Sequence, residues 1–114
     1  MVIDSVQEKK AVEVTVLDVR DLTSFTDYFV ICNGNSEPQI KSLSRHLEEK
    51  MSGMGLRPHH VEGKPESGWI LLDYDDFVVH IFSPEKRNFY DLERLWGDAP
   101  RMEVRDGVPA QVVH

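Results

Sequence analysis

The chain has one cysteine, Cys32, so no internal disulfide can close. That thiol lies in an apolar run, Phe29-Val-Ile-Cys32, and reads as a small core residue rather than a nucleophile. One thiol and no secretory leader pattern fit a reducing, cytoplasmic setting. No apolar run reaches the roughly 20 residues that a membrane span needs, so no membrane partner is expected. Positive charge is scarce. Lys and Arg number 13 against 20 Asp and Glu, for a net charge of −7. Affinity for a phosphate backbone comes from Lys and Arg releasing counterions, so little or no direct nucleic-acid contact is expected. A basic protein partner fits better. Repeats and low-complexity tracts are missing. So are a Walker loop, a dinucleotide fingerprint, a Ser-centred elbow and a Cys–His dyad, and with them goes the expectation of an enzyme or a cofactor.

What remains is enough for one globular domain. The 114 residues are 40% hydrophobic and 29% charged. A chain of this length buries about two-thirds of its unfolded surface and needs neither disulfide nor metal to fold.

The densest signal runs from Trp69 to Trp96. Trp69-Ile-Leu-Leu-Asp-Tyr74 and Phe77-Val-Val-His-Ile-Phe82 read as strands separated only by Asp75-Asp76, a hairpin with a two-residue turn. That turn sets the register: Tyr74 faces Phe77, Leu72 faces Val79, and Ile70 faces Ile81. These six side chains share an apolar face and are expected in the core. The other face carries Trp69, Leu71, Asp73, Val78, His80 and Phe82. It is an apolar strip with a carboxylate and an imidazole in it. Either helices bury it, or it is a protein-binding patch with a Trp anchor and an acidic rim from Asp73, Asp75, Asp76, Glu62 and Glu66.

The remaining elements follow in order. A short N-terminal helix is expected to end near Ala11. Val12 to Val19 alternates and then turns apolar, a strand. Asp27 to Asn33 is a second strand, apolar throughout and so central. Ser36-Glu-Pro-Gln39 has the capping-box pattern, and Ile40, Leu43, Leu47 and Met51 then form one stripe at helical spacing. Gly53 and Gly55 end that helix. Leu56 to Glu62 reads as an edge strand because Pro58 cannot donate to a ladder. Ser83-Pro84 opens a last helix to Trp96, with Phe89, Leu92, Leu95 and Trp96 facing inward. The expected fold is α/β: a mixed five-stranded sheet with flanking helices. It forms one domain over residues 1–97, followed by a partly ordered tail over residues 98–114. The strand before the Ser36 helix and the strand after it form a βαβ crossover if they are parallel.

Two constellations invite a catalytic reading. Asp73, Asp75 and Asp76 could hold a divalent metal, and Gly34-Asn-Ser36 before a helix could cradle a phosphate. Together they point to a residual metal-dependent nucleotidyltransferase using Ser36, Asp73 and Asp75. Against this, a whole helix and a strand separate Ser36 from Asp73, and aspartates are expected at a hairpin tip for turn reasons alone. His59 and His60 are adjacent, point to opposite faces of a strand, and cannot chelate as a pair.

Asp18-Val-Arg20, Thr26-Asp-Tyr-Phe-Val-Ile31, Gly34-Asn-Ser36, Glu62-Gly63, Trp69-Ile-Leu-Leu-Asp73, Val79-His80-Ile-Phe82 and Arg87-x-Phe-Tyr-Asp-Leu-Glu-Arg-Leu-Trp96 together resemble the ribosomal silencing factor (RsfS/iojap) family. The resemblance covers nearly everything from Val12 to Trp96. It implies a nucleotidyltransferase-like fold without catalytic residues. It also implies binding to the large ribosomal subunit through its protein numbered fourteen, on the intersubunit face. The bound factor would block joining of the small subunit and lower translation when nutrients are scarce. A homodimer when free is implied as well. The family's interface Trp corresponds to Trp69, with Asp73 and His80 retained beside it. The expected partner-binding residues are therefore Trp69, Leu71, Asp73, Asp75, Asp76, His80 and Phe82.

Overall fold

The computed structural model describes residues 12–105 and 108–113. The helix expected before Ala11 lies outside them. In chain order the strands are β1 (Val12–Asp18), β2 (Tyr28–Asn33), β3 (His60–Lys64), β4 (Trp69–Asp73), β5 (Phe77–Phe82), β6 (Arg101–Arg105) and β7 (Val108–Val113). Helices α1 (Glu37–Gly53), α2 (Pro84–Tyr90) and α3 (Leu92–Leu95) join them, with a 3-10 turn at Pro65–Ser67.

The strands form one mixed sheet in the order β3-β4-β5-β2-β1-β6-β7. β2 and β5 are parallel, and the other neighbouring pairs are antiparallel. The five expected strands are all present as β1 to β5. Following the pairings through the sheet, β3 runs parallel to β2, as the crossover requires, but β4 and β5 lie between them. β3 begins later than the expected Leu56. The Leu56 amide turns back to the Met51 carbonyl at the helix end, and ladder contact starts only where the His59 N–H donates to the Asp73 carbonyl at 2.8 Å.

The stretch read as a partly ordered tail corrects the strand count. It supplies β6 and β7 and extends the sheet from five strands to seven. β6 pairs with β1 in the register Val14↔Val104 and Val16↔Met102, and the Asp18 N–H donates to the Pro100 carbonyl at 2.8 Å. Without β6, the ladder groups on that side of β1 would have no strand partner. At this same end of β1, the Arg20 guanidinium grips the Asp18 carboxylate at 2.7 Å and holds its pKa below the usual carboxylate value.

Helix α1 follows its sequence signals. The Ser36 Oγ accepts the Gln39 N–H, and the Gln39 Oε1 reaches back to accept the Asn35 N–H at 2.7 Å. Ile40, Leu43, Leu47 and Met51 bury against Val30, Cys32, Ile70, Leu72, Val79 and Ile81. This is the first core layer, and it contains the hairpin face expected there. The hairpin register is also as expected: Ile70 pairs with Ile81, Leu72 pairs with Val79, and the Tyr74 N–H donates to the Phe77 carbonyl. Asp75 takes the left-handed conformation at φ 71, which Asp tolerates better than most residues. Burial pushes the Cys32 thiol up to about 12, so Cys32 is an inert core residue.

The other face of the sheet has its own core layer. Leu17, Val19, Phe29, Ile31, Val78, Phe82 and Ala99 are buried there, with Trp69, Leu71, Leu92 and Trp96 packed against them. The helix expected without interruption from Pro84 to Trp96 breaks at Asp91, which is left-handed at φ 46. The break shifts the helical phase. Leu92 and Trp96 still face inward, but Phe89 is 74% exposed and Leu95 72% exposed. One side chain fixes the break in place. Arg87, 7% exposed, donates from Nε and Nη2 to Glu93 across it, from Nη1 to Asn33 Oδ1 at 3.2 Å, and from Nη2 to Thr15 Oγ1 at 3.0 Å.

Candidate partner-binding site

The second core layer covers only part of its face. Leu92, Trp96 and Ala99 pack with β1, β2 and β5, while the β4 side chains Trp69, Leu71 and Asp73 remain partly exposed toward the β3 edge. Strand β3 is exposed along its whole length. Its register sets His60 beside Asp73, Glu62 beside Leu71 and Lys64 beside Trp69. Gly63 lets β3 lie this close. At φ 84, a Cβ there would fall 2.1 Å from the Trp69 carbonyl oxygen.

Trp69 opens β4 directly after Gly68, which is left-handed at φ 76. Its indole Nε1–H donates to His80 Nδ1 at 3.3 Å, and the two rings stack with centroids 6.5 Å apart. The Tyr90 ring flanks the indole at 6.0 Å, and Phe89 meets Tyr90 edge-on at 5.2 Å. Tyr90 is 48% exposed. The result is a continuous aromatic surface from Trp69 through Tyr90 to Phe89. Tyr90 and Phe89 were not among the expected site residues. The helical period placed Phe89 inward, and the one signal that could have corrected it is Asp91, a residue able to take a left-handed turn.

The seven expected site residues separate into three groups. Trp69, Leu71 and Asp73 lie together along β4, partly exposed. Asp75 and Asp76 are exposed at the hairpin tip. Trp69 and Asp75 are six residues apart, roughly 20 Å along the strand, so the acids flank the strip at its far end. His80 and Phe82 are buried, at 7% and 2% exposure, and cannot form the outer surface. They lie beneath Trp69 and Tyr90, where Phe82 packs on Tyr90 at 5.8 Å. Burial pushes His80 down to about 4, so the imidazole is neutral at physiological pH.

The acids and histidines are largely paired with one another. Asp73 Oδ1 accepts the Asp75 N–H at 2.9 Å, Asp75 pairs with His59, and His60 pairs with Glu62 at 2.7 Å. Among the described residues, no three His, Cys, Asp or Glu side chains gather where a metal could sit. The phosphate-cradle geometry is not there either. The Gly34 N–H donates to the Phe82 carbonyl, the Asn35 N–H to Gln39, and the Ser36 Oγ caps α1. Asn33 pairs with Phe82 and Trp69 with Phe82, so Ser36 follows the end of the sheet where β4 starts. Asp73 lies at the other end, opposite Val78. About four residues of strand, roughly 13 Å, separate the two ends. The residues proposed for a nucleotidyl-transfer centre are therefore not brought together. Among the described residues, no helix is long and apolar enough to cross a membrane.

Fold and surface together define a small α/β protein that presents a half-covered aromatic face, flanked by the His59–Asp75 and His60–Glu62 pairs. Residues 1–113 match the family described as "Ribosomal silencing factor during starvation", and the chain belongs to that family. The chain is 37% identical over 101 residues to the ribosomal silencing factor RsfS of Bacillus subtilis, covering 89% of this chain and 86% of that protein. The chloroplastic protein Iojap of Zea mays is 38% identical over 97 residues, a match that spans 85% of this chain and 42% of Iojap. The X-ray structure of a Chromobacterium violaceum protein superposes with a TM-score of 0.81 at 32% identity, covering 84% of this chain and 80% of that one.

Proposed function

We propose that the protein is a non-enzymatic translational repressor that acts by occlusion. In this reading it binds the large ribosomal subunit through the protein numbered fourteen, on the intersubunit face. It thereby blocks joining of the small subunit and lowers translation when nutrients are limiting. The family description and the relatives named as ribosomal silencing factors support this reading. The observation that carries the choice of surface is Trp69. It is a large aromatic on a rigid strand, partly exposed and continuous with Tyr90 and Phe89. Leu71 and Asp73 adjoin it, and Asp75 and Asp76 add negative charge suited to a basic protein partner. His80 and Phe82 support the surface from behind. The scaffold is read as nucleotidyltransferase-like, working in the cytoplasm without a cofactor and forming a homodimer when free.

Co-sedimentation with purified large subunits tests the assignment. Truncating a buried aromatic anchor costs about 2 kcal/mol or more, so Trp69→Ala should lose roughly 30-fold in affinity. Equal pelleting of wild type and Trp69→Ala would rule out this surface. Adding the small subunit before or after the factor tests occlusion. The protein added first should keep the subunits apart.

A further inference from the structure

We propose that His80 is a positioning residue: it fixes the orientation in which the Trp69 indole meets its partner. The proposal rests on the reading of Trp69 as the contact residue. An indole offers a single N–H donor, and when partly buried that donor normally finds a partner. Here it meets His80 Nδ1 at 3.3 Å. His80 is itself held firmly. Phe29 meets its ring edge-on at 5.5 Å, and Phe82 lies parallel to it at 5.7 Å. Both phenylalanines are buried in the second core layer. The imidazole is thus anchored in the core by its neighbours and turned toward Trp69 as an acceptor. Because Nδ1 accepts, the proton of the neutral ring is assigned to Nε2. The near-parallel His80 ring and the Tyr90 ring, with centroids 6.5 and 6.0 Å from the indole, complete the restraint. A side chain ordered before binding spares the complex that ordering cost, which is why a residue with little exposed surface of its own can raise affinity.

The test uses the full chain with three variants and two readouts. His80→Phe keeps a ring of similar size between Phe29 and Phe82 but removes the acceptor. His80→Gln removes the ring but restores an acceptor. Trp69→Phe identifies the Trp69 indole N–H signal in a nitrogen-15 NMR spectrum, where Trp96 gives the other. In His80→Phe the Trp69 signal should move and exchange with solvent at least about tenfold faster, while the Trp96 signal stays in place. Affinity for purified large subunits should fall about five- to tenfold, the factor expected for freeing one bulky side chain. His80→Gln should recover part of both effects, which a purely space-filling role would not allow. An unchanged Trp69 signal in His80→Phe overturns the proposal. So does a moved signal with unchanged affinity, provided that Trp69→Ala still weakens binding as expected. Full binding by Trp69→Ala removes the surface reading, and the binding half of this proposal with it. The indole signal still decides whether His80 holds the ring.

Discussion

Replacing Arg87 by Met should destabilise the protein by about 3 kcal/mol. The guanidinium is 7% exposed and its partner Glu93 21% exposed, so both charges are largely withdrawn from water. Removing one member of a buried pair costs about 3–5 kcal/mol, because the other charge is left without its partner. Residual access of water to Glu93 places this case at the lower end. Thr15, 4% exposed, loses the guanidinium as well. For a domain of this size, the loss corresponds to a fall in Tm of very roughly 10–20 °C. Urea unfolding at neutral pH measures it. The double variant Arg87→Met/Glu93→Leu should be more stable than Arg87→Met alone, since exchanging both charges for apolar groups removes the orphaned carboxylate. If Arg87→Met costs less than about 1 kcal/mol, or if the double variant loses the sum of the two single effects, the pair is behaving as a surface ion pair and the argument fails.

Stability should also fall in mild acid because of His80. Above pH 6.5 the side chain is neutral in both folded and unfolded chains. Between pH 6.5 and about 4 the unfolded chain takes up a proton that the buried imidazole refuses, and this removes about 3 kcal/mol in total. His80→Phe should flatten that part of the stability–pH curve. Leu95→Lys should change unfolding free energy by less than about 0.5 kcal/mol, whereas Leu47→Ala should cost about 2–5 kcal/mol; equal losses would contradict the break at Asp91. Gly63→Ala should cost more than about 1 kcal/mol, because the new methyl meets the Trp69 carbonyl at a left-handed position. Cys32 should react with a thiol reagent only at the rate of unfolding, and rapid labelling of the native protein would contradict its burial.

The hairpin and α1 were readable because each depends on short-range rules. Two residues between β-rich runs leave one register, and Ser36, Gln39 and the Ile40–Met51 stripe lie within one helix. The other features depend on contacts made far along the chain. His80 and Phe82 looked like surface because the alternation of the hairpin does not say what covers its second face; the Trp69 ring meets His80 and the Tyr90 ring meets Phe82. Asp91 breaks the last helix without a glycine or proline, so the 3.6-residue period carried Phe89 and Leu95 to the wrong side. Nothing beside Arg87 in the sequence marks it as buried. Its partners Thr15 and Asn33 are 72 and 54 residues away. The strands after Pro100 were hidden because the alternation is short and interrupted, and because β1 does not announce that it needs a second neighbour. Within the proposed site, the partly exposed aromatic at the start of the hairpin was legible, and so was its acidic flank. The aromatic pair beside it and the support behind it were not.

Pairing β1 with β6 has a kinetic consequence. The two strands are separated by most of the chain, and the parallel contact of β2 with β5 is also long-range. Loops this long must close before their contacts repay the lost entropy, which puts folding toward the millisecond-to-second range rather than microseconds. During synthesis β1 emerges early and then waits for its outer neighbour until β6 has followed. Over that interval one row of its backbone donors and acceptors is open to any other strand that comes by. A chain cut after residue 97 would keep that row open permanently, and self-association should then compete with folding.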